Sequence, residues 1–186
     1  MYVSMWLISS IIEFGAGVGL PSLLCALRGA KHVTMTDYAD KELIDNLQKN
    51  VDVNLSDTIK QNVTVMGHNW GKDIPDILAP IKDKSATGKY DIVICADLIF
   101  NHVSHEGLVQ SCKEVLAPGG VVYVVFTHHR PHKMKEDMNF FEIAKSDPFN
   151  FVIEKIKEEK SEPMFEHDFG PVEIRSTIHY YIMKHP

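Results

Sequence analysis

The sequence predicts an α/β sandwich: a mainly parallel sheet of seven strands with helices on both faces and an antiparallel pair at its edge. Three observations predict it. Apolar, β-branched runs alternate five times with stretches of helical periodicity. The run YDIVICADLIF, 90–100, is nearly continuous in apolar residues, as a strand covered on both faces requires. The last two runs, 150–156 and 173–183, lie close together with no comfortable room for a crossover helix, so they pair antiparallel. The 186 residues suffice for a single domain, 1–186, with a real core.

The elements follow in order. LISSIIEF, 7–14, reads as a buried strand running into glycines. LPSLLCALRG, 20–29, reads as a short helix stopped by Gly29. HVTMTD, 32–37, is a β-branched strand ending in an acid. Residues 40–55 place Leu43, Leu47, Val51 and Leu55 on one helical stripe. NVTVMGH, 62–68, is a third strand, and 71–89, with two prolines and several charges, is a loop with one helical turn at most. After the strand at 90–100, Leu108, Cys112, Val115 and Leu116 mark a helix. Pro118-Gly119-Gly120 signals a turn into VVYVVFTHH, 121–129. A helix over 133–146 carries Met134, Met138 and Phe141 on one face, and KIKEEKSE, 155–162, is a solvated face.

Composition narrows the function. Apolar content of 45% and charged content of 24% are ordinary for a globular chain. The net charge is -6 with no basic run, which disfavours nucleic acid as a partner. The longest apolar candidate, Met5–Phe14, is too short for a membrane span and contains Ser9, Ser10 and Glu13. It also lacks a basic n-region, so the expected address is cytoplasmic. Cys25, Cys95 and Cys112 sit among apolar residues and read as small core side chains in a reducing compartment.

The chemistry begins at Gly15, Gly17 and Gly19. In an open α/β sheet the ligand lies beyond the carboxyl ends of the strands, and a glycine loop after the first strand lets it approach the backbone. Asp37, at the end of the second strand, can accept two hydrogen bonds from a ribose diol. The spacing is G-x-G-x-G, with Leu20 where a dinucleotide fingerprint places its third glycine. Glu13 would repel a pyrophosphate and suits a cationic head. S-adenosylmethionine has one, a sulfonium and an α-ammonium without phosphate; a nicotinamide dinucleotide is the disfavoured alternative. Trp70, in HNWGK, can stack on an adenine ring or simply pack in the core. In CADLIFNH, 95–102, the Ala96 carbonyl can take the cofactor's ammonium, and Asp97 and Asn101 can hold an amine substrate, a mere loop cap being the lesser reading of Asp97. Phe100 can wall the methyl channel. No dedicated general base is assigned, since an α-amine with a pKa near ~8 is partly neutral at cytoplasmic pH. The run HHRPH, with His128, His129, Arg130 and His132, lacks a zinc spacing and reads as a substrate-channel rim or a solvated loop.

At these residues the chain resembles the class I, seven-strand S-adenosylmethionine-dependent methyltransferases, which have a Rossmann-like three-layer sandwich. More narrowly it is similar to the lysine methyltransferase-like group with E-x-G-x-G-x-G (Glu13 to Gly19), an acidic strand end (Asp37), a W-G pair (Trp70-Gly71) and D-x-x-F/Y (Asp97 to Phe100). The runs FNH and THHRPH resemble the branch called nicotinamide N-methyltransferase-like. That resemblance, over 11–186, implies methylation of the N-terminal glycine and an adjacent lysine of translation elongation factor 1-alpha; the expected state is a monomer. A small-molecule N-methyltransferase, and a cofactor-binding protein without activity, are the other readings. The resemblance also implies an N-terminal segment of some tens of residues before the first strand, whereas Met1 lies 12 residues before Glu13.

Overall fold

The computed structural model describes residues 9–163 and 169–185. Seven strands form one sheet: β1 (Ser10–Phe14), β2 (His32–Asp37), β3 (Val63–Gly67), β4 (Tyr90–Ala96), β5 (Leu116–Phe126), β6 (Val152–Lys160) and β7 (Thr177–Lys184). Their order is β3-β2-β1-β4-β5-β7-β6. The first five are parallel, and β7 runs antiparallel to both β5 and β6. The last strand therefore inserts between β5 and β6 and leaves β6 at the edge. Residues 7 and 8 of the expected first strand lie outside the described residues.

Alternation along the strands sorts side chains into two cores. Ile12, Phe14 and Val93 face one side and pack with Leu108, Cys112, Phe140 and Phe141. Ile11, Ile92, Val33 and Met35 face the other and pack with Leu23, Ala26, Leu47 and Val51. These partners come from helices α1 (Leu20–Leu27), α2 (Lys41–Asn54), α5 (His105–Val115) and α6 (Met134–Lys145); α3 (Asp57–Lys60), α4 (Ile74–Leu78) and α7 (Val172–Arg175) are short connectors. The Asp40 carboxylate caps α2, accepting from the N–H groups of Glu42 (2.9 Å) and Leu43 (3.4 Å). On the expected α2 stripe Leu47, Val51 and Leu55 are buried and Leu43 is exposed.

Some expectations need correction. Pro118-Gly119-Gly120 does not separate β5 from what precedes it. The strand begins at Leu116, and the extra residues are absorbed by a register shift opposite Tyr90 and Ile92. The segment 71–89 contains α4 and a 3-10 turn at Ala79–Ile81, whose Ile74, Ile77 and Ile81 are buried. KIKEEKSE is largely the outer strand β6, and its exposed charges of both signs suit an unprotected sheet edge. The three cysteines are free and buried, with the sulfurs of Cys95 and Cys112 3.7 Å apart. Among the described residues no helix is long and apolar enough to cross a membrane.

Candidate active site

A cleft of about 620 Å³ opens at the carboxyl ends of β1, β2, β3 and β4. Gly15, Asp37, Trp70, Asp97, Phe100 and Asn101 line it, together with Tyr38, His68, Asn69, Lys72, Leu98 and Ser104. Six of the ten residues singled out from the sequence thus meet in one place.

The glycines do different jobs. Gly17 is not among the cleft-lining residues; it is exposed at φ 56, and a Cβ built there meets nothing within 4 Å, so its backbone is open to solvent beside the cleft. Gly19, at φ 79, begins α1; a Cβ there would stand 2.1 Å from Met35 Cε and 2.7 Å from Leu47 Cδ1. Its bare Cα lets α1 and α2 close on β2, and it does not line the cleft. At Gly15 a Cβ would meet Leu98 Cδ2 at 2.5 Å and Trp70 at 3.4 Å.

Glu13 requires a correction. It is 1% exposed, away from the cleft, and its Oε2 accepts from the Ser22 N–H at 3.1 Å. That places a carboxylate beneath the unsatisfied N–H groups of the first turn of α1. Burial pushes its pKa from 4.5 up to about 7, against the pull of its bond from the Ser22 N–H. Glu13 therefore shapes the glycine loop from below. Ala96 closes β4 and does not line the cleft; Asp97, one residue on, does.

Asp37 sits where the sequence placed it. Its Oδ2 accepts from the Gly17 N–H and its Oδ1 from the Tyr38 N–H, both at 2.7 Å. Trp70 packs against the core on one side and lines the cleft on the other. The loop carrying it is fixed by Ser111 on α5, whose Oγ accepts from the Gly71 N–H at 2.8 Å and lies 3.0 Å from His68 Nε2. Burial holds the His68 pKa below its ordinary value, which favours the neutral ring. Asn69 was not singled out from the sequence. Its Oδ1 is buried with no hydrogen-bond partner, although the residue lines the cleft. Its signal was its position beside Trp70 at the end of β3.

At the other end of the cleft Asp97 takes φ 59, and both its carboxylate oxygens lie 2.8 Å from His129 Nε2. Arg130 Nη2 donates to the Phe100 carbonyl at 2.7 Å. His128 is buried, with its Nδ1 2.7 Å from Asp137 Oδ2; the other oxygen of Asp137 lies 2.6 Å from His102 Nε2. The histidine run is thus neither rim alone nor solvated loop. His132 is exposed, but His128 and His129 are held against the carboxylates of Asp137 and Asp97. Among the described residues no group of three His, Cys, Asp or Glu side chains is arranged to hold a metal.

The arrangement suits a nucleoside with a cationic head. Gly17 offers an open backbone, Asp37 a carboxylate with lone pairs to spare and Trp70 an aromatic wall. A sheet in this strand order with this cleft defines a class I S-adenosylmethionine-dependent methyltransferase. Solved structures agree on the fold: a TehB-like SAM-dependent methyltransferase from Corynebacterium glutamicum (TM-score 0.59, 15% identity, 96% of this chain and 81% of that one). A methyltransferase in complex with SAH superposes with a TM-score of 0.62 at 12% identity, over 94% of this chain and 45% of that one. Residues 6–147 match the family described as lysine methyltransferase. Protein N-terminal and lysine N-methyltransferase efm7 of Schizosaccharomyces pombe is 48% identical over 95% of this chain and 68% of its own length. The namesake from Yarrowia lipolytica is 44% identical over 93% and 67%. The chain belongs to the lysine methyltransferase family and is an S-adenosylmethionine-dependent enzyme. It spans about two thirds of the length of these relatives.

Proposed function

We propose that the chain methylates protein amines, the N-terminal amine and/or a lysine of translation elongation factor 1-alpha. The observation that carries the reading is the pairing of the cofactor cleft with Asp97 and Asn101 at its β4 end. The names of the relatives support the protein substrate, and the resemblance of FNH and THHRPH supports the particular target. A second hollow of about 390 Å³, lined by Phe100, Asn101, His102, Val103 and Arg130, shares Phe100 and Asn101 with the cleft and gives a polypeptide room to lie beside it.

When bound, S-adenosylmethionine supplies an electrophilic methyl on sulfur. The protein contributes placement and electrostatics. Asp37 would hold the ribose hydroxyls, Gly17 would leave room for the cofactor's chain, and Trp70 with Asn69 would flank the adenine ring. Asp97 and Asn101 would present oxygens to the substrate amine and so stabilise the positive charge its nitrogen would gain on accepting the methyl group, with the sulfur leaving as a neutral thioether. Phe100 walls the approach and helps to exclude water. Incubating the chain with labelled S-adenosylmethionine and recombinant elongation factor 1-alpha, followed by mass spectrometry of its N-terminal peptide, tests the reading. A mass gain of one or more methyl groups on that peptide supports it; label confined to nicotinamide or other small molecules overturns it.

A further inference from the structure

Three consecutive residues leaving β5 each engage the loop that leaves β4. His128 reaches it through Asp137 to His102, His129 meets Asp97, and Arg130 binds the Phe100 carbonyl. The strands are parallel neighbours, with Ala96 opposite Val125, so their exits lie side by side. Asp97 is a loop residue with a side chain 30% exposed, and left to itself its carboxylate would sample several rotamers. His129 removes that freedom. Its Nε2 is equidistant from both oxygens, its ring meets the edge of Phe100 at 5.9 Å, and its Nδ1 lies 3.4 Å from the Thr127 hydroxyl. In-line attack on a methyl carbon tolerates little misplacement of the nucleophile.

We propose that His129 is a positioning residue of the transfer reaction, fixing the Asp97 carboxylate in the orientation that receives the substrate amine. This rests on the protein-amine reading above. His129 has no place among the cleft-lining residues, so it acts through Asp97 and leaves cofactor binding untouched. Arg130 and the His128–Asp137–His102 chain hold the rest of the same loop, which makes the HHR run a three-point clasp.

Two measurements test it on the full chain. In steady-state methyl transfer to elongation factor 1-alpha, His129→Ala is expected to lower kcat tenfold or more while the calorimetric Kd for S-adenosylmethionine stays within twofold. His129→Gln, whose amide N–H can still reach a carboxylate, is expected to recover most of the lost kcat. Wild-type kcat in His129→Ala, a parallel loss of cofactor affinity, or no advantage of Gln over Ala overturns the proposal. The second measurement needs no methyl acceptor. In proton NMR of the isolated chain, the Nε2 proton of His129 is expected to be protected from exchange, and its signal to vanish in Asp97→Leu. Absence of that signal from the wild type overturns the proposal by itself. A wild type that shows the signal but leaves the elongation factor unmodified overturns the protein-substrate reading instead.

Discussion

The Asp37 carboxylate is hydrogen-bonded to the backbone N–H of Gly17 at 2.7 Å, so the acid at the end of β2 and the open glycine of the loop form one unit before any ligand arrives. Asp37 thus holds the loop in shape and still has lone pairs for a ribose. We expect Asp37→Ala to weaken S-adenosylmethionine binding by about 1–3 kcal/mol, the scale of hydrogen bonds to a charged group. Titration calorimetry reads this directly, and an unchanged dissociation constant would remove Asp37 from the cofactor site.

Two alanine substitutions in the loop separate packing from binding. Gly19→Ala drives a methyl into Met35 and Leu47 at a positive φ. Thermal or urea unfolding should show a loss of about 1–3 kcal/mol from overpacking, with about 1 kcal/mol more from backbone strain. Gly17→Ala meets no atom within 4 Å. It should cost only the backbone strain of about 1 kcal/mol, yet weaken cofactor binding more than that stability loss suggests.

Glu13 gives a pH signature. Its folded pKa of about 7 lies above the 4.5 of the free group, because burial disfavours the charge. The folded state then binds more protons than the unfolded chain between these values, so the group's favourable contribution is complete below 4.5 and lost as pH rises through 7. Glu13→Gln should remove that loss. Relative to the wild type, the variant is expected to gain up to about 3 kcal/mol between pH 4.5 and pH 8 in urea denaturation.

Asp137 should behave in the opposite sense. Burial alone would raise its pKa, but the bonds from His128 and His102 outweigh it and hold the carboxyl below 3.8. Its contribution is present above that value and fades as pH falls through the folded pKa. We expect Asp137→Ala to destabilise the chain by about 3 kcal/mol at neutral pH, as removal of one partner from a buried pair does. The gap to the wild type should narrow on acidification, as chemical denaturation at pH 7 and pH 3 will show.

Much of this was legible in the sequence because it is local. Strand alternation, the run at 90–100, the glycine spacing and the acid at Asp37 all announce themselves within a few residues, and β2 fell at His32–Asp37 as expected. What escaped depends on contacts made across the fold. Glu13 and His129 have the residue types of a ligand site, but the sequence cannot say that one turns under α1 toward Ser22, or that the other finds Asp97 32 residues away. Pro118-Gly119-Gly120 has the composition of a turn, and only pairing with β4 shows it to be a bulge in a strand. Leu43 fits the stripe of α2 by spacing yet lies on the exposed side of its first turn.

The central claim is that the cleft between the glycine loop and Asp97 holds S-adenosylmethionine with its ribose on Asp37. A crystal structure with S-adenosylhomocysteine tests it most directly. We expect both ribose hydroxyls within hydrogen-bonding distance of Asp37, the adenine between Trp70 and Asn69, and the sulfur facing Asp97 and Asn101. Density for the ligand elsewhere, or a ribose turned away from Asp37, would contradict it.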